Sequence, residues 1–110
     1  MVDTRENWHD FVKRSADCGA DGIELNFGCP HGMCERGMGS AVGQVPEYIQ
    51  QAAAWCKKFA RVPVIVKLTP NITNILPAAK AAKDGGADAV SLINTLNSIM
   101  RVDYDTLTIY

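Results

Sequence analysis

Three polar side chains lie where successive β-strands are predicted to end. Asn26, Lys67 and Asn94 each stand at the end of a short apolar stretch that has the pattern of a strand. The carboxyl ends of parallel strands meet at one edge of a sheet or barrel, so we expect these side chains to converge. A single asparagine at a strand end is usually a capping or loop residue. Three polar ends in successive units favour a binding site.

Cys29 follows Asn26 by three residues and begins the long loop after the first predicted strand. A free cysteine is most often a small buried hydrophobic residue. An ordinary thiol is mostly protonated at neutral pH and can donate a proton. It can also act as a nucleophile where a base or a cation lies nearby. His31 is close in sequence, but that closeness alone does not establish a catalytic pair.

The loop itself, Gly28–Gln44, is rich in glycine and has neither a helical nor a strand period. Long irregular loops inside compact domains are usually functional or disordered, and its reactive side chains indicate a functional one. The Cys-x-His-x2-Cys spacing from Cys29 to Cys34 has no second ligand pair at zinc-finger distance, so we expect no metal site. Val42 stands where a dinucleotide-binding fingerprint would have its third glycine, which argues against that motif.

The elements that must position these groups alternate between helix and strand. Thr4 begins a helix that Gly19 ends, Pro46 begins a second with a buried apolar stripe, and a third runs from Thr73 or Asn74 to Gly85. The predicted strands are 22–27, 64–68 and 88–94, and the second is apolar almost throughout, as a strand buried on both faces would be. This alternation predicts βαβ units and a parallel sheet.

Two α/β architectures use this order: a doubly wound sheet and a (β/α)8 barrel. A barrel needs about 250 residues, and this chain of 110 residues supplies about three βα units with open outer strands. We expect residues 1–110 to be part of one barrel domain of a larger protein, with residues 96–110 as an irregular tail.

Composition excludes several other classes of protein. The formal net charge is -1, with 47% hydrophobic and 21% charged residues, which is typical of a globular segment and gives no basic surface for nucleic acid or anionic membranes. The apolar runs are too short to span a bilayer, and the polar start has no secretory signal. Four cysteines without such a signal do not indicate a disulfide framework. We expect a cytoplasmic protein with reduced thiols.

Four segments together have the order and spacing of a known enzyme family. They are Gly22–Gly32, Glu35–Gly39, Val66–Thr73 and the pair Asn94-Thr95. The chain resembles, over nearly its whole length, the pyrimidine-reducing domain of dihydropyrimidine dehydrogenases. That domain is a flavin-binding (β/α)8 barrel similar to the class 1 dihydroorotate dehydrogenases. With no linked nucleotide-binding domain, the chain looks more like the catalytic subunit of the bacterial two-subunit form.

The resemblance implies roles for the residues at the predicted strand ends. Cys29 matches the general acid of the family. Asn26 and Asn94 match asparagines that hold the pyrimidine, and Thr95 matches a neighbour of the second asparagine. A carboxamide carries both a donor and an acceptor, so it can pair with the alternating N–H and C=O groups of a uracil edge.

The resemblance also implies the cofactors and partners. Lys67 matches a lysine that contacts FMN, and Gly28 stands where the animal enzymes carry a serine beside the flavin and substrate. That departure puts one hydrogen bond in doubt. FAD, NAD(P)H and [4Fe-4S] clusters are expected elsewhere in the full enzyme, together with an electron-supply subunit and an oligomeric assembly.

The expected reaction is the NAD(P)H-linked reduction of uracil or thymine to the 5,6-dihydropyrimidine, with a hydride from FMN to C6 and a proton from Cys29 to C5. Two alternatives stay open. One is a dihydroorotate dehydrogenase of pyrimidine biosynthesis, although no basic residue is evident for the orotate carboxylate. The other is a non-catalytic, truncated βα module. The 110-residue chain is expected to be inactive by itself.

Overall fold

A computed structural model describes residues 4–31 and 39–109 as alternating helices and strands. The elements are α1 (Arg5–Asp17), β1 (Ile23–Asn26), α2 (Ser40–Gly43), α3 (Pro46–Phe59), β2 (Val64–Lys67), α4 (Leu76–Asp84), β3 (Ala89–Ser91), β4 (Val102–Asp103) and β5 (Thr108–Ile109). None of the helices in these two ranges is long and apolar enough to cross a membrane.

Helix α1 has the boundaries that its sequence predicts. The hydroxyl of Thr4 accepts a hydrogen bond from the Asn7 backbone N–H at 3.3 Å, which satisfies a donor that the first turn leaves unpaired. Gly19 follows the helix with φ of 79°, the left-handed conformation that suits a residue without a β-carbon. Of its apolar face, Val12 is buried, whereas Phe11 stays half-exposed.

Strands β1, β2 and β3 form a parallel sheet in that order, so each βα unit lies beside the next. Asn26 is the register partner of Lys67, and Lys67 is the register partner of Ser91. The predicted α/β class is confirmed: three parallel strands with intervening helices form part of a (β/α)8 barrel. The register brings the carboxyl ends of all three strands to one edge.

One face of this sheet packs against helices α1, α3 and α4. Ile49, Ala52, Ala53 and Cys56 of α3 are fully buried, as the spacing of its apolar residues predicts. The buried hydrophobic core of the described residues consists of Val12, Leu25, Phe27, Ile49, Ala52, Ala53, Cys56, Val64, Val66, Leu68, Ala78, Ala81 and Ala82.

The opposite face of the sheet has a polar row at its carboxyl end and is exposed or only partly buried. In β2, Val64 and Val66 are buried, but Ile65 and Lys67 are only partly so. The prediction that β2 is buried on both faces is therefore wrong for this structure. Three strands cannot close into a barrel, and within the described ranges the side chains on this face are exposed or only partly buried.

The glycine-rich loop is more ordered at its end than its sequence predicts. Helix α2 occupies one turn there, and the Ser40 backbone N–H donates to the Cys29 carbonyl at 2.9 Å, which joins the two ends of the loop. A β-carbon on Gly43 would overlap the carbonyl oxygen of Phe27, so only glycine permits this close approach. Residues 32–38, and with them Cys34 of the rejected zinc motif, lie outside the described ranges.

Helix α4 begins at Leu76, two to three residues later than predicted. The Asn74 side chain accepts a hydrogen bond from the Leu76 backbone N–H at 3.0 Å, so Asn74 stabilises the first residue of α4 although it precedes the helix. The proline that follows Leu76 fixes the first turn.

Strand β3 is shorter than the predicted 88–94, because the chain leaves the sheet after Ser91. The Asn94 backbone N–H still donates to the Leu68 carbonyl, at 3.2 Å. Asn94 therefore lies beyond the strand, in the segment that crosses the carboxyl edge.

The predicted irregular tail contains a small antiparallel pair, β4 with β5. The Asp103 carboxylate accepts hydrogen bonds from the backbone N–H groups of Asp105 and Thr106, at 2.9 and 3.1 Å. These bonds form the turn of the hairpin. Strands of two residues are too short to show an alternating pattern, which is why the sequence gives no sign of them.

Candidate active site

The carboxyl edge of the sheet brings together two asparagines that are 68 residues apart in the chain. Asn94 Nδ2 donates to Asn26 Oδ1 at 3.0 Å. Lys67, on the neighbouring strand, is the register partner of Asn26. The fold thus places all three residues at this edge of the sheet.

The side-chain oxygen of Asn26 is hydrogen-bonded within the protein, whereas its side-chain nitrogen is available. Its Oδ1 also accepts from the Gly28 backbone N–H at 3.0 Å, so one oxygen takes two hydrogen bonds. No partner within the described residues takes the Asn26 Nδ2 hydrogens. The side chain is exposed in this structure, and Nδ2 is free to meet a ligand at the edge.

Asn94 uses both ends of its amide within the protein. Its Oδ1 accepts from the Thr95 backbone N–H at 2.7 Å, while its Nδ2 reaches Asn26. These two bonds fix the orientation of the Asn94 carboxamide, with its nitrogen toward Asn26 and its oxygen toward the Thr95 backbone. Thr95 is exposed beside it.

Gly28 is buried, and its α-carbon faces the Asn94 side chain. A β-carbon at this position would overlap Asn94 Cβ and lie 3.0 Å from Asn94 Cγ and Nδ2. Any other residue, serine included, requires Asn94 to move. The predicted contact of Gly28 with a flavin stays a prediction, and what the structure adds is a close packing of Gly28 on the asparagine pair.

Cys29 is a free, half-buried thiol at the start of the loop. The exposed His31 makes no hydrogen bond to it, so the geometry gives no support to a Cys–His pair. Cys56 is different: it is fully buried in α3, and burial raises the pKa of its thiol to about 12. Of these two cysteines, only Cys29 lies where a ligand at the strand ends could reach it.

Lys67 belongs to a short polar row that the sequence patterns reveal only in part. Its Nζ lies 4.0 Å from the Glu24 carboxylate, and the Ser91 hydroxyl donates to the other Glu24 oxygen at 2.8 Å. The three residues come from β2, β1 and β3. The alternation of β1 places Glu24 and Asn26 on one face, which is the only sequence signal for this row.

The donor and acceptor set fits a flavin and a planar heterocycle better than a metal. Amide groups and a half-buried ammonium can meet the carbonyl oxygens and ring nitrogens of FMN or a pyrimidine. Within ranges 4–31 and 39–109, no three histidine, cysteine, aspartate or glutamate side chains gather as metal ligands.

Several known proteins are similar to this chain in sequence. It is 42% identical over 100 residues to the chloroplastic dihydropyrimidine dehydrogenase (NADP(+)) of Arabidopsis thaliana, covering 91% of this chain and 24% of that protein. It is 40% identical over 103 residues to the NAD-dependent dihydropyrimidine dehydrogenase subunit PreA of Escherichia coli (strain K12), covering 94% and 25%. The catalytic subunit of dihydroorotate dehydrogenase B (NAD(+)) from Alkaliphilus metalliredigens is 45% identical over 93 residues, covering 84% and 30%.

The chain therefore spans about a quarter of the length of the curated relatives it matches. The sequence profile of the dihydroorotate dehydrogenase family matches residues 3–109, which include all three parallel strands and the asparagine pair at their carboxyl edge. With a match over nearly every residue and a sheet of the expected topology, the chain belongs to the dihydroorotate dehydrogenase family.

Proposed function

We propose that this chain forms part of a flavin-dependent barrel enzyme that reduces uracil or thymine to the 5,6-dihydropyrimidine with electrons from NAD(P)H. The observation that carries the proposal is the hydrogen-bonded pair Asn26–Asn94 at the strand ends, with the free thiol of Cys29 on the adjoining loop. The relatives named as dihydropyrimidine dehydrogenases support the substrate class.

The asparagine pair gives the edge a polarity that suits a pyrimidine. A uracil ring presents alternating N–H and C=O groups, and it needs a surface that can both donate and accept. Asn26 Nδ2 offers a donor, since its Oδ1 is already occupied. The exposed Thr95 hydroxyl adds a group that can donate or accept beside Asn94.

Cys29 is the proposed general acid. When bound, FMN would supply a hydride to C6 of the pyrimidine. The thiol of Cys29 donates its proton to C5, which completes the saturation of the 5,6 bond, and the thiolate then regains a proton from water. A hydroxyl at this position would be a far weaker acid than a thiol.

Lys67 and Gly28 are the residues of this chain that we assign to the flavin. Lys67 carries the positive charge at this edge, and a cation beside a reduced, anionic flavin favours reduction. The remaining parts of the flavin site would come from further βα units of the barrel. FAD, NAD(P)H and [4Fe-4S] clusters, with the electron-supply subunit that holds them, complete the proposed oligomeric enzyme.

Dihydroorotate oxidation is the second candidate, favoured by the 45% identity to a dihydroorotate dehydrogenase B catalytic subunit. Orotate carries a carboxylate that a basic residue would have to meet. Within the described residues, the lysine at the carboxyl edge is the one assigned above to the flavin, not to the substrate. The neutral uracil ring needs no such basic partner.

The experiment is a substrate comparison on the complete protein that carries this chain, loaded with FMN. Its reduced flavin is mixed anaerobically with uracil, thymine or orotate, and its oxidised flavin with dihydroorotate. We expect rapid reoxidation by uracil or thymine and little reaction with the orotate pair. Fast reduction by dihydroorotate without any reaction of uracil would assign the second candidate instead.

A further inference from the structure

Asn71 links the loop after β2 to the segment that follows β3. Its Nδ2 donates to the Thr95 carbonyl at 2.9 Å, and its Oδ1 accepts from the Asn97 backbone N–H at 2.8 Å. One carboxamide thus binds the chain on two sides of Leu96. No role for this side chain follows from the strand-end pattern, although it lies within the Val66–Thr73 segment.

The other end of this link is held by the protein interior. The Asn71 backbone N–H donates to the Thr69 hydroxyl at 3.1 Å, and Asn71 Nδ2 approaches the same hydroxyl at 3.4 Å. Thr69 is only 1% exposed. Asn71 is therefore held in place by the buried Thr69 side chain, while its carboxamide binds the 95–97 backbone at the carboxyl edge.

The segment that Asn71 holds has lost the support of the sheet. The chain leaves the sheet after Ser91, and the bond from the Asn94 N–H to the carbonyl of Leu68, the residue after β2, is its last backbone hydrogen bond there in the described residues. Beyond Asn94, the two hydrogen bonds of the Asn71 carboxamide hold this segment in place of strand pairing. They fix the backbone on the far side of Thr95, whose N–H in turn orients the Asn94 carboxamide.

We infer that Asn71 is a positioning residue for pyrimidine recognition: it holds the 95–97 backbone so that Asn94 and Thr95 present their polar groups to the ring. This inference rests on the proposed function. Loss of Asn71 should loosen the pyrimidine side of the edge while leaving the sheet and the Lys67 side intact. A role in stability alone would lower folding and all binding together.

Asn74 provides a matched control in the same loop. It is also an asparagine whose side chain accepts a backbone hydrogen bond, but its partner is the Leu76 N–H at the start of α4. Asn74→Ala removes a helix-start contact and no contact with the 95–97 segment. It should lower the thermal midpoint slightly and leave pyrimidine affinity unchanged.

The test uses the complete, FMN-loaded protein with Asn71→Ala, Asn71→Asp and Asn74→Ala. Uracil binding is followed by the change in flavin absorbance, alongside flavin content, thermal midpoint and the split between KM and kcat. Two lost hydrogen bonds predict a Kd for uracil that rises about 10-fold in Asn71→Ala, with flavin content unchanged. Asn71→Asp keeps the size but cannot donate to the Thr95 carbonyl, so it should also weaken uracil binding.

The outcomes separate this inference from the function on which it rests. A wild-type protein whose flavin spectrum responds to no pyrimidine refutes the proposed function itself. A wild type that binds uracil, with both Asn71 variants binding equally well, refutes only the positioning role. If the Asn71 variants lose thermal stability and flavin content together with uracil affinity, Asn71 has only a structural role and the positioning role is refuted.

Discussion

Asn94 and Asn26 share one hydrogen bond across the carboxyl edge, and Gly28 stabilises the same acceptor. Asn26 Oδ1 receives Asn94 Nδ2 and the Gly28 N–H, each at 3.0 Å. The orientation of each asparagine therefore depends on the other. The end of β1 and the segment after β3, which are distant in the chain, are therefore coupled at this edge.

Asn26→Ala and Asn94→Ala should each weaken uracil binding by about 1–3 kcal/mol, because each leaves a polar group of the bound ring unpaired. Flavin content should stay near normal. The double variant should lose less than the sum of the two, since each single change already breaks their mutual bond. Calorimetric titration of the complete protein measures the three affinities, with Gln51→Ala on the exposed side of α3 as the control. Strict additivity would contradict the coupling.

Gly28→Ala should disturb the site more than the fold. The added β-carbon overlaps Asn94, so Asn94 must move and its bond to Asn26 must break. Overpacking of this kind costs about 1–3 kcal/mol, here expressed mainly as lost uracil affinity. Gly22→Ala is the matched control, because its added β-carbon meets only the Pro63 carbonyl at an ordinary 3.6 Å. Equal uracil affinity in both variants would show that Gly28 does not constrain Asn94.

An ion pair at the other end of the sheet should make stability depend on acidic pH. The hydrogen bond from Lys57 Nζ, at 2.7 Å to Asp88 Oδ1, and that from the Val64 N–H hold the pKa of Asp88 below its ordinary value of 3.8. The folded state thus binds this proton less readily than the unfolded state. The stabilisation is complete above the ordinary pKa and is lost as the pH falls below it.

Asp88→Asn removes this titration and should flatten the pH dependence of unfolding. Chemical unfolding of the complete protein, followed from about pH 5 to about pH 2, compares the variant with wild type. The two curves should converge as the pH falls, because both then lack the charged partner of Lys57. Curves that stay parallel throughout would contradict a role for the Asp88 carboxylate.

The 110-residue chain by itself should associate and bind FMN poorly. The outer edges of β1 and β3 are unpaired in the described residues, and Leu92 and Leu96 are 62% and 64% exposed. Unpaired edges and exposed apolar side chains favour aggregation. Light scattering after size exclusion and an FMN titration measure both properties. A monomer that melts cooperatively with stoichiometric FMN would refute this prediction.

Local patterns predict the elements of this fold better than its contacts. The Thr4 cap, the apolar stripe of α3 and the alternation of β1 each reflect a rule that operates within one element, so they can be seen in the sequence. The strand-end positions of Asn26 and Lys67 follow from the same patterns.

Contacts between distant segments leave no such trace. The bonds from Asn71 to residues 95–97, and those of Glu24 with Lys67 and Ser91, depend on the sheet register. Helix α2 depends on the fit of Gly43 against Phe27, and the end of β3 on the departure of the chain after Ser91. These features arise from tertiary packing, which overrides local propensity.

The role of Cys29 as proton donor is the central claim, and single-turnover reoxidation of reduced flavin by uracil tests it most directly. Cys29→Ser in the complete protein replaces the thiol with a very weak acid and should slow this step by about 10²–10⁴-fold. Reduction of the flavin by NAD(P)H should be unchanged, since no pyrimidine proton moves in that step. Cys18→Ser, at the exposed end of α1, is the control and should match wild type. A Cys29→Ser enzyme that reoxidises as fast as Cys18→Ser would contradict the account.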